Sequence, residues 1–170
     1  NKGVLSDGES LAIGDTLFTM CPWWDGPVSQ AEIGAQLAET AKERRKRWIW
    51  IYHAPPAASP VAWGGQRYFG DDALRKWIEK YQPDIVMSGH VHEAPYVQNG
   101  SWVDRIGGTW IFNTGHYLAT PPAHIVMDTE VGEAAAEVGA HEPGAADRCC
   151  KWKSVRARPP AWQDSQLVSA

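Results

Sequence analysis

The sequence predicts an α/β domain, because two apolar strand-like segments flank an amphipathic helix. Segments 48–52 and 85–87 are short runs of large apolar residues, typical of parallel strands that are buried on both faces. Within 74–81, apolar residues are spaced i, i+3, i+4 and i+7, which indicates a helix that Asp71 or Asp72 can cap. The order strand, helix, strand is that of a crossover unit, so we expect the two strands to be parallel.

The amino-terminal part predicts a β-hairpin followed by another helix. The hairpin is expected within 5–24, where apolar runs flank the turn dipeptide Gly14-Asp15. Apolar residues then recur at helical spacing from Val28 to about Lys46. The cations concentrated at the end of this helix suit the negative end of the helix dipole.

Three further strands are predicted after the second apolar run, and beyond them the pattern weakens. They are expected at 101–105, 109–113 and 124–128, with the first two joined in a hairpin. Alanine and glycine then predominate and a basic stretch follows, so we expect at most one more strand. The chain is therefore divided into a folded domain over 1–131 and a loosely ordered tail over 132–170.

Composition limits the classes of function. With 170 residues, 44% of them hydrophobic and 21% charged, the chain has the composition of one soluble domain. The net charge of −4 disfavours a dedicated nucleic-acid binder, so nucleic acid is expected only as a substrate. No apolar run reaches the roughly 20 residues that span a bilayer. The 3 cysteines form no disulfide pattern, which favours a reducing, cytoplasmic location.

Histidines follow both of the buried-type strands. His53 directly follows the first strand, and a Gly-His-Val-His motif at 89–92 comes just after the second. Because the carboxyl ends of parallel strands meet at one edge of a sheet, we expect these histidines to lie close together. In an extended loop, His90 and His92 would also point the same way. Imidazole is the commonest metal-binding side chain, so the sequence predicts a metal site at this edge.

The two histidine motifs resemble the carboxyl-terminal half of a calcineurin-like metallophosphoesterase. The residues that carry the resemblance are His53-Ala54-Pro55-Pro56, the Gly-His-Val-His motif at 89–92, the helix between them and the later Asn113-Thr114-Gly115. The resemblance covers approximately residues 5–131. It implies a fold that is part of a metallophosphoesterase-type β-sandwich of mixed sheets flanked by helices.

The resemblance implies a hydrolase of phosphate monoesters or diesters with two divalent metal ions, which activate a hydroxide nucleophile. It implies that His53 and His90 bind one ion and that His92 binds the other. Manganese is the expected ion, and iron, zinc and nickel also suit imidazole ligands. His116 and Glu93 are expected to contact the substrate or to orient a ligand. Aromatic residues in loops are further candidates for substrate contact: Trp23, Trp24, Trp63 and Tyr68.

The amino-terminal motifs of the family are missing from this sequence. Asp-x-His, Gly-Asp-x-x-Asp and Gly-Asn-His-Asp/Glu would supply the bridging carboxylate and the remaining ligands; Gly14-Asp15 begins like the second motif but has Phe18 where a carboxylate belongs. Three histidines alone cannot offset the repulsion between two divalent ions. We therefore expect a fragment that is inactive by itself and whose partner is the amino-terminal half of the same domain. The alternatives are a non-catalytic relative that acts as an interaction or metal-binding module, and an active unit assembled from two chains.

Overall fold

The computed structural model describes residues 6–23, 29–43, 45–116 and 123–128, together with the backbone of strands 133–140 and 151–157. The elements in chain order are β1 (Ser10–Ile13), β2 (Thr16–Met20), α1 (Gln30–Thr40), β3 (Arg47–Ile51), a 3-10 turn (Pro60–Ala62), α2 (Asp72–Tyr81), β4 (Ile85–Ser88), β5 (Val103–Ile106), β6 (Thr109–Asn113), β7 (His124–Asp128), β8 (Glu133–Ala140) and β9 (Lys151–Ala157). Neither helix in the described part of the chain has the length and apolar character needed to cross a bilayer.

A six-stranded mixed sheet forms the centre of the fold, with the strand order β1-β2-β3-β4-β6-β5. Strands β2, β3, β4 and β6 are parallel, whereas β1 and β5 are antiparallel to their neighbours at the two edges. Ile49 lies opposite Ile85, and Ser88 lies opposite Asn113, so the carboxyl ends of β3, β4 and β6 meet at one edge. The predicted α/β class is confirmed, as is the parallel pairing of the two strands that flank α2.

Capping sets the boundaries of α1. The Ser29 side chain accepts a hydrogen bond from Glu32 N, and the Glu32 carboxylate accepts one from Ser29 N. The helix ends at Thr40, so the predicted extension to Lys46 is wrong. Arg45 turns back instead and donates to the carbonyl oxygen of Thr40 at 3.1 Å, which satisfies an acceptor that a longer helix would have used.

Asp71, rather than Asp72, is the residue that caps α2. Its carboxylate accepts hydrogen bonds from Ala73 N at 2.7 Å and from Leu74 N at 3.2 Å. The helix ends at Tyr81, and the C-cap residue Gln82 has a left-handed backbone with φ of 48°. An aspartate at the N-cap satisfies backbone donors that have no partner inside the helix.

Both faces of the central sheet are covered by apolar side chains. Along β3, Trp48 and Trp50 point to one face and Ile49 to the other, as the two-residue repeat of a strand requires. On the first face they pack against the apolar sides of the helices: Ile33, Leu37, Leu74 and Ile78. On the second face, Ile49 belongs to a cluster against which Ile125 and Met127 of β7 pack. Each fully buried leucine or isoleucine stabilises the fold by about 1.5–3 kcal/mol.

Two strands follow β7, so the expectation of at most one is wrong. Strand β8 pairs antiparallel with both β7 and β9 in a second, three-stranded sheet. Strand β8 could not be predicted because alanine, which predominates in it, is a weak strand former. Hydrogen bonding to a strand on each side stabilises β8 irrespective of that propensity. The division of the chain at residue 131 stays a prediction.

Candidate metal centre

The predicted histidines lie at the carboxyl edge of the central sheet. His53 comes two residues after the end of β3, and the Gly-His-Val-His motif begins directly after β4. Gly89 N donates to the carbonyl oxygen of His53 at 3.0 Å, which continues the β3–β4 pairing into the loops. His116 follows β6 at the same edge. We call His53, His90, His92 and His116 the histidine layer, and all four are exposed.

His53 and His90 form a close pair. His53 Nε2 lies 3.1 Å from His90 Nδ1, and the ring centroids are 5.0 Å apart. Without an ion, one of these nitrogens donates a hydrogen bond to the other. Two nitrogens bound at about 2.0–2.1 Å to the same ion lie about 3 Å apart at tetrahedral or octahedral angles. The pair therefore has the separation that two ligands of one divalent ion need.

The backbone of the motif is turned rather than extended. His90 has a left-handed φ of 64°, and Val91 N donates to Gly89 O at 2.7 Å. The expectation that His90 and His92 lie in an extended loop is therefore wrong. A left-handed conformation costs a non-glycine residue about 1–2 kcal/mol, so surrounding contacts must maintain it.

His92 makes a ring contact with His116. The two rings meet edge to face with centroids 5.0 Å apart, and His116 N donates to His92 O at 3.1 Å. The structure thus divides the histidine layer into two pairs. This division is compatible with the expectation that His92 serves a second ion, and the ligand roles of the three predicted histidines stay predictions.

Other predicted residues have different surroundings. Glu93 is exposed, and its carbonyl oxygen accepts a hydrogen bond from Tyr96 N, so its role beside a ligand stays a prediction. Trp23 stacks on His53 with ring centroids 4.1 Å apart and meets His90 edge-on at 5.4 Å. Trp63 and Tyr68 contact each other with ring centroids 4.9 Å apart, while Trp24 lies outside the described residues.

Buried polar residues lie beneath the histidine layer. Tyr52 precedes His53 and donates its hydroxyl proton to the Asp71 carboxylate at 2.5 Å. At the end of β6, the Asn113 side chain makes hydrogen bonds to three different loop segments. We call Tyr52, Asp71 and Asn113 the polar layer, and each of them is at most 7% exposed. The sequence presents Asn113 only as part of a motif. A polar residue at the end of a buried strand indicates a structural role but does not reveal its partners.

Cys21 lies at the same edge, and its amide donates to the carbonyl oxygen of Ile51 at 2.9 Å. Burial, together with the negative charge of Asp7, raises the pKa of the Cys21 thiol to about 12. The thiol is therefore neutral at physiological pH, whereas a metal ligand would need to be the thiolate. Cys21 is an apolar core residue rather than part of the candidate centre.

The His53–His90 pair supplies two nitrogens, whereas a catalytic zinc ion takes three protein ligands. Among the residues that the structure describes, no group of three or more His, Cys, Asp or Glu side chains is arranged to hold an ion. The donors present fit an imidazole-binding divalent ion, and they are fewer than a complete centre requires.

Comparison with known proteins gives one match to a family model. Residues 22–94 match the calcineurin-like phosphoesterases, a span that includes His53, His90 and His92. The resemblance that the histidine motifs predicted is confirmed. None of the curated proteins matches this chain.

One solved structure has a related fold, and two others are less similar. One crystal structure has a TM-score of 0.53 and 14% identity over 87% of this chain and 52% of its own. The protein TT1561 of Thermus thermophilus has a TM-score of 0.45 and 12% identity, over 77% of this chain and 52% of its own. Vacuolar Protein Sorting 29 from Cryptosporidium parvum has a TM-score of 0.34 and 15% identity, over 57% of this chain and 49% of its own. The chain spans about half the length of these structures, and the first of them supports the mixed α/β fold.

Proposed function

We propose that this chain is part of a metal-dependent phosphoesterase, because residues 22–94 match the calcineurin-like phosphoesterase family. In the proposal, His53 and His90 bind one divalent ion and His92 contributes to a second. The substrate is a phosphate monoester or diester. The observation that carries the proposal is the distance of 3.1 Å between His53 Nε2 and His90 Nδ1.

In this proposal, the residues of this chain bind the ion and orient its ligands, and they do not react with the substrate themselves. A divalent ion at this edge would act as a Lewis acid toward the phosphoryl oxygens of the substrate. His53 and His90 are exposed, so an ion and a phosphate group can reach their nitrogens from solvent. Trp23 packs on the ring of His53 and restricts its rotation. A ligand ring that is already restricted loses less side-chain entropy when the ion binds.

The remaining ligands are proposed to come from the amino-terminal half of the same domain. The carboxylate motifs that the family uses to bridge two ions are missing from this sequence. The chain also covers only 52% of the solved structure that it matches with a TM-score of 0.53. With carboxylates added to imidazoles, manganese is the ion we favour, because it takes oxygen and nitrogen ligands together.

The test is the hydrolysis of aryl phosphates by the complete protein. We expect manganese to stimulate the hydrolysis of p-nitrophenyl phosphate, a monoester, or of bis(p-nitrophenyl) phosphate, a diester. His90→Ala should lower the turnover at least 100-fold by removing a ligand. His124→Ala is the matched control, because His124 is an exposed histidine on β7, and it should retain activity. Unchanged turnover in His90→Ala would contradict the proposal.

One observation favours a second candidate function. The carboxylate motifs that the family uses to bridge two ions are missing from this sequence, as they would be from a non-catalytic interaction or metal-binding module that keeps the histidines. A complete protein that binds zinc or manganese yet hydrolyses neither aryl phosphate would favour this module over the enzyme.

A further inference from the structure

Asn113 makes three side-chain hydrogen bonds although it is only 1% exposed. Its amide nitrogen donates to the carbonyl oxygens of Val61 and Val91, each at 2.9 Å, and its amide oxygen accepts from Gly115 N at 2.9 Å. Two carbonyl oxygens on one side and one N–H on the other fix the orientation of the amide, because only nitrogen can donate. The backbone of Asn113 is held as well, since its N–H donates to Trp102 O at 2.9 Å.

Each of these bonds ends on a different loop of the carboxyl edge. Val91 is the residue between His90 and His92, so its carbonyl oxygen belongs to the motif itself. Val61 lies in the 3-10 turn of the loop that contains His53. Gly115 directly precedes His116. One buried side chain therefore connects the three loops that carry the histidine layer.

The backbone around these bonds leaves little freedom for rearrangement. Gly115 has a left-handed φ of 65°, and a Cβ atom at this position would lie 2.5 Å from the carbonyl oxygen of His92. The turned conformation of His90, with φ of 64°, also needs contacts to maintain it. The bond from Asn113 to the adjacent Val91 carbonyl is such a contact.

We propose that Asn113 is a positioning residue that holds His90 and His92 in the geometry of metal ligands. Asn113 does not touch the ion in this proposal; it acts through the carbonyl oxygen of Val91 and the turn at Gly115. The proposal rests on the proposed function, in that the histidines are metal ligands. Residues that orient ligands from outside the ligand set typically change metal affinity by 10–100-fold when they are replaced.

The experiment compares two replacements with a matched control. Asn113→Ala removes all three side-chain bonds. Asn113→Asp keeps the shape and the acceptor for Gly115 N but loses both donors, and it provides a second test if the alanine variant does not fold. Ile78→Ala is the control, because Ile78 is fully buried on α2 and its loss costs stability without removing a side-chain bond to a loop.

The first readout does not depend on metal. Hydrogen exchange at the amides of Gly115 and His116 should accelerate at least tenfold in Asn113→Ala relative to the core of β3 and β4. In Asn113→Asp, the Gly115 amide should stay protected while the loop at 89–92 exchanges faster. Exchange in these loops that equals wild type, or that Ile78→Ala accelerates equally, would overturn the proposal.

The second readout is the affinity of the complete protein for zinc, measured by calorimetry with zinc chloride well below the melting temperature of each variant. We expect Asn113→Ala to weaken binding by about 10–100-fold and Ile78→Ala to leave it within a factor of three. Equal affinity in wild type and Asn113→Ala would overturn the proposal. If wild type itself binds no zinc, the proposed function fails, and hydrogen exchange still decides whether Asn113 positions the loops.

Discussion

The histidine layer and the polar layer occupy the same edge of the sheet, but they differ in what their polar atoms contact. The polar layer is buried, and its side chains make hydrogen bonds to a helix end and to three loops. The histidine layer is exposed, and its rings contact one another in two pairs. This difference in burial predicts separate roles for adjacent residues such as Tyr52 and His53. Replacing the first should affect stability, and replacing the second should affect binding.

The largest effect on stability is expected for Asp71→Ala. This change removes the N-cap of α2 and leaves the Tyr52 hydroxyl buried without its acceptor. We expect the free energy of unfolding to fall by about 3 kcal/mol, the sum of a lost cap and a lost hydrogen bond to a carboxylate. Urea denaturation measures it. Asp72→Ala, which changes the exposed neighbour, is the control and should cost less than about 1 kcal/mol.

Tyr52→Phe should have a smaller effect of the same kind. It removes the hydroxyl that donates to Asp71 at 2.5 Å but leaves the cap of α2 in place. A loss of about 1–2 kcal/mol in the free energy of unfolding is expected for one hydrogen bond to a charged group. Tyr68→Phe provides the control, because Tyr68 is 52% exposed and its hydroxyl can reach water. If the two variants are equally stable, the polar layer does not hold this edge.

Changes in the histidine layer should cost little stability. His92→Ala is expected to change the free energy of unfolding by no more than about 0.5 kcal/mol, as is usual for exposed positions. His90→Gly should raise it by about 1 kcal/mol, because glycine adopts the left-handed φ of 64° without strain. Thermal and urea denaturation report both values. If His92→Ala lowers the free energy of unfolding by more than about 2 kcal/mol, His92 stabilises the fold as the polar layer does.

The smallest effect is expected at the opposite edge of the sheet, where Asp84 is half-buried and accepts from Trp48 N at 2.6 Å. Burial raises the pKa of Asp84, and the hydrogen bond together with Arg45 and Arg47 only partly offsets this. A raised folded-state pKa means that ionised Asp84 costs stability. The cost is missing at pH values below the ordinary pKa and appears as pH rises through the raised pKa.

Asp84→Asn should therefore be at least as stable as wild type at pH 7, and the advantage should disappear near pH 3. The midpoints of urea denaturation, measured for both proteins between pH 3 and pH 7, test the sign of this stability difference. A variant that is less stable than wild type at pH 7 and equal to it at pH 3 would mean that the charge itself stabilises the fold.

Much of the fold could be predicted because burial imposes patterns on the sequence. The uninterrupted apolar run at 48–52 follows from burial on both faces of the sheet, and the helical spacing within 74–81 follows from packing against one of those faces. The end of α1 could not be predicted, since it depends on the hydrogen bond that the Arg45 side chain donates to the carbonyl oxygen of Thr40. Strand β8 was also missed, because its stability comes from pairing with its neighbours rather than from its alanines.

The candidate site could be predicted only in outline. Strand order brings His53 and His90 to one edge, and this follows from two apolar runs and the helix between them. The turned backbone at His90 and the contact between His92 and His116 depend on loop geometry, which leaves no periodic signal. The hydrogen bonds of Asn113 join residues up to 52 positions apart, so no local pattern could reveal them.

The proposed function requires that His53 and His90 bind one divalent ion. The direct test is to titrate zinc chloride into the complete protein and to follow the imidazole nitrogen resonances by NMR. We predict that the resonances of His53 and His90 shift together and saturate with one ion, while His124 does not respond. His53→Ala should abolish the shift of His90. Resonances of His53 and His90 that stay unchanged at millimolar zinc, or that saturate at different concentrations, would contradict the account.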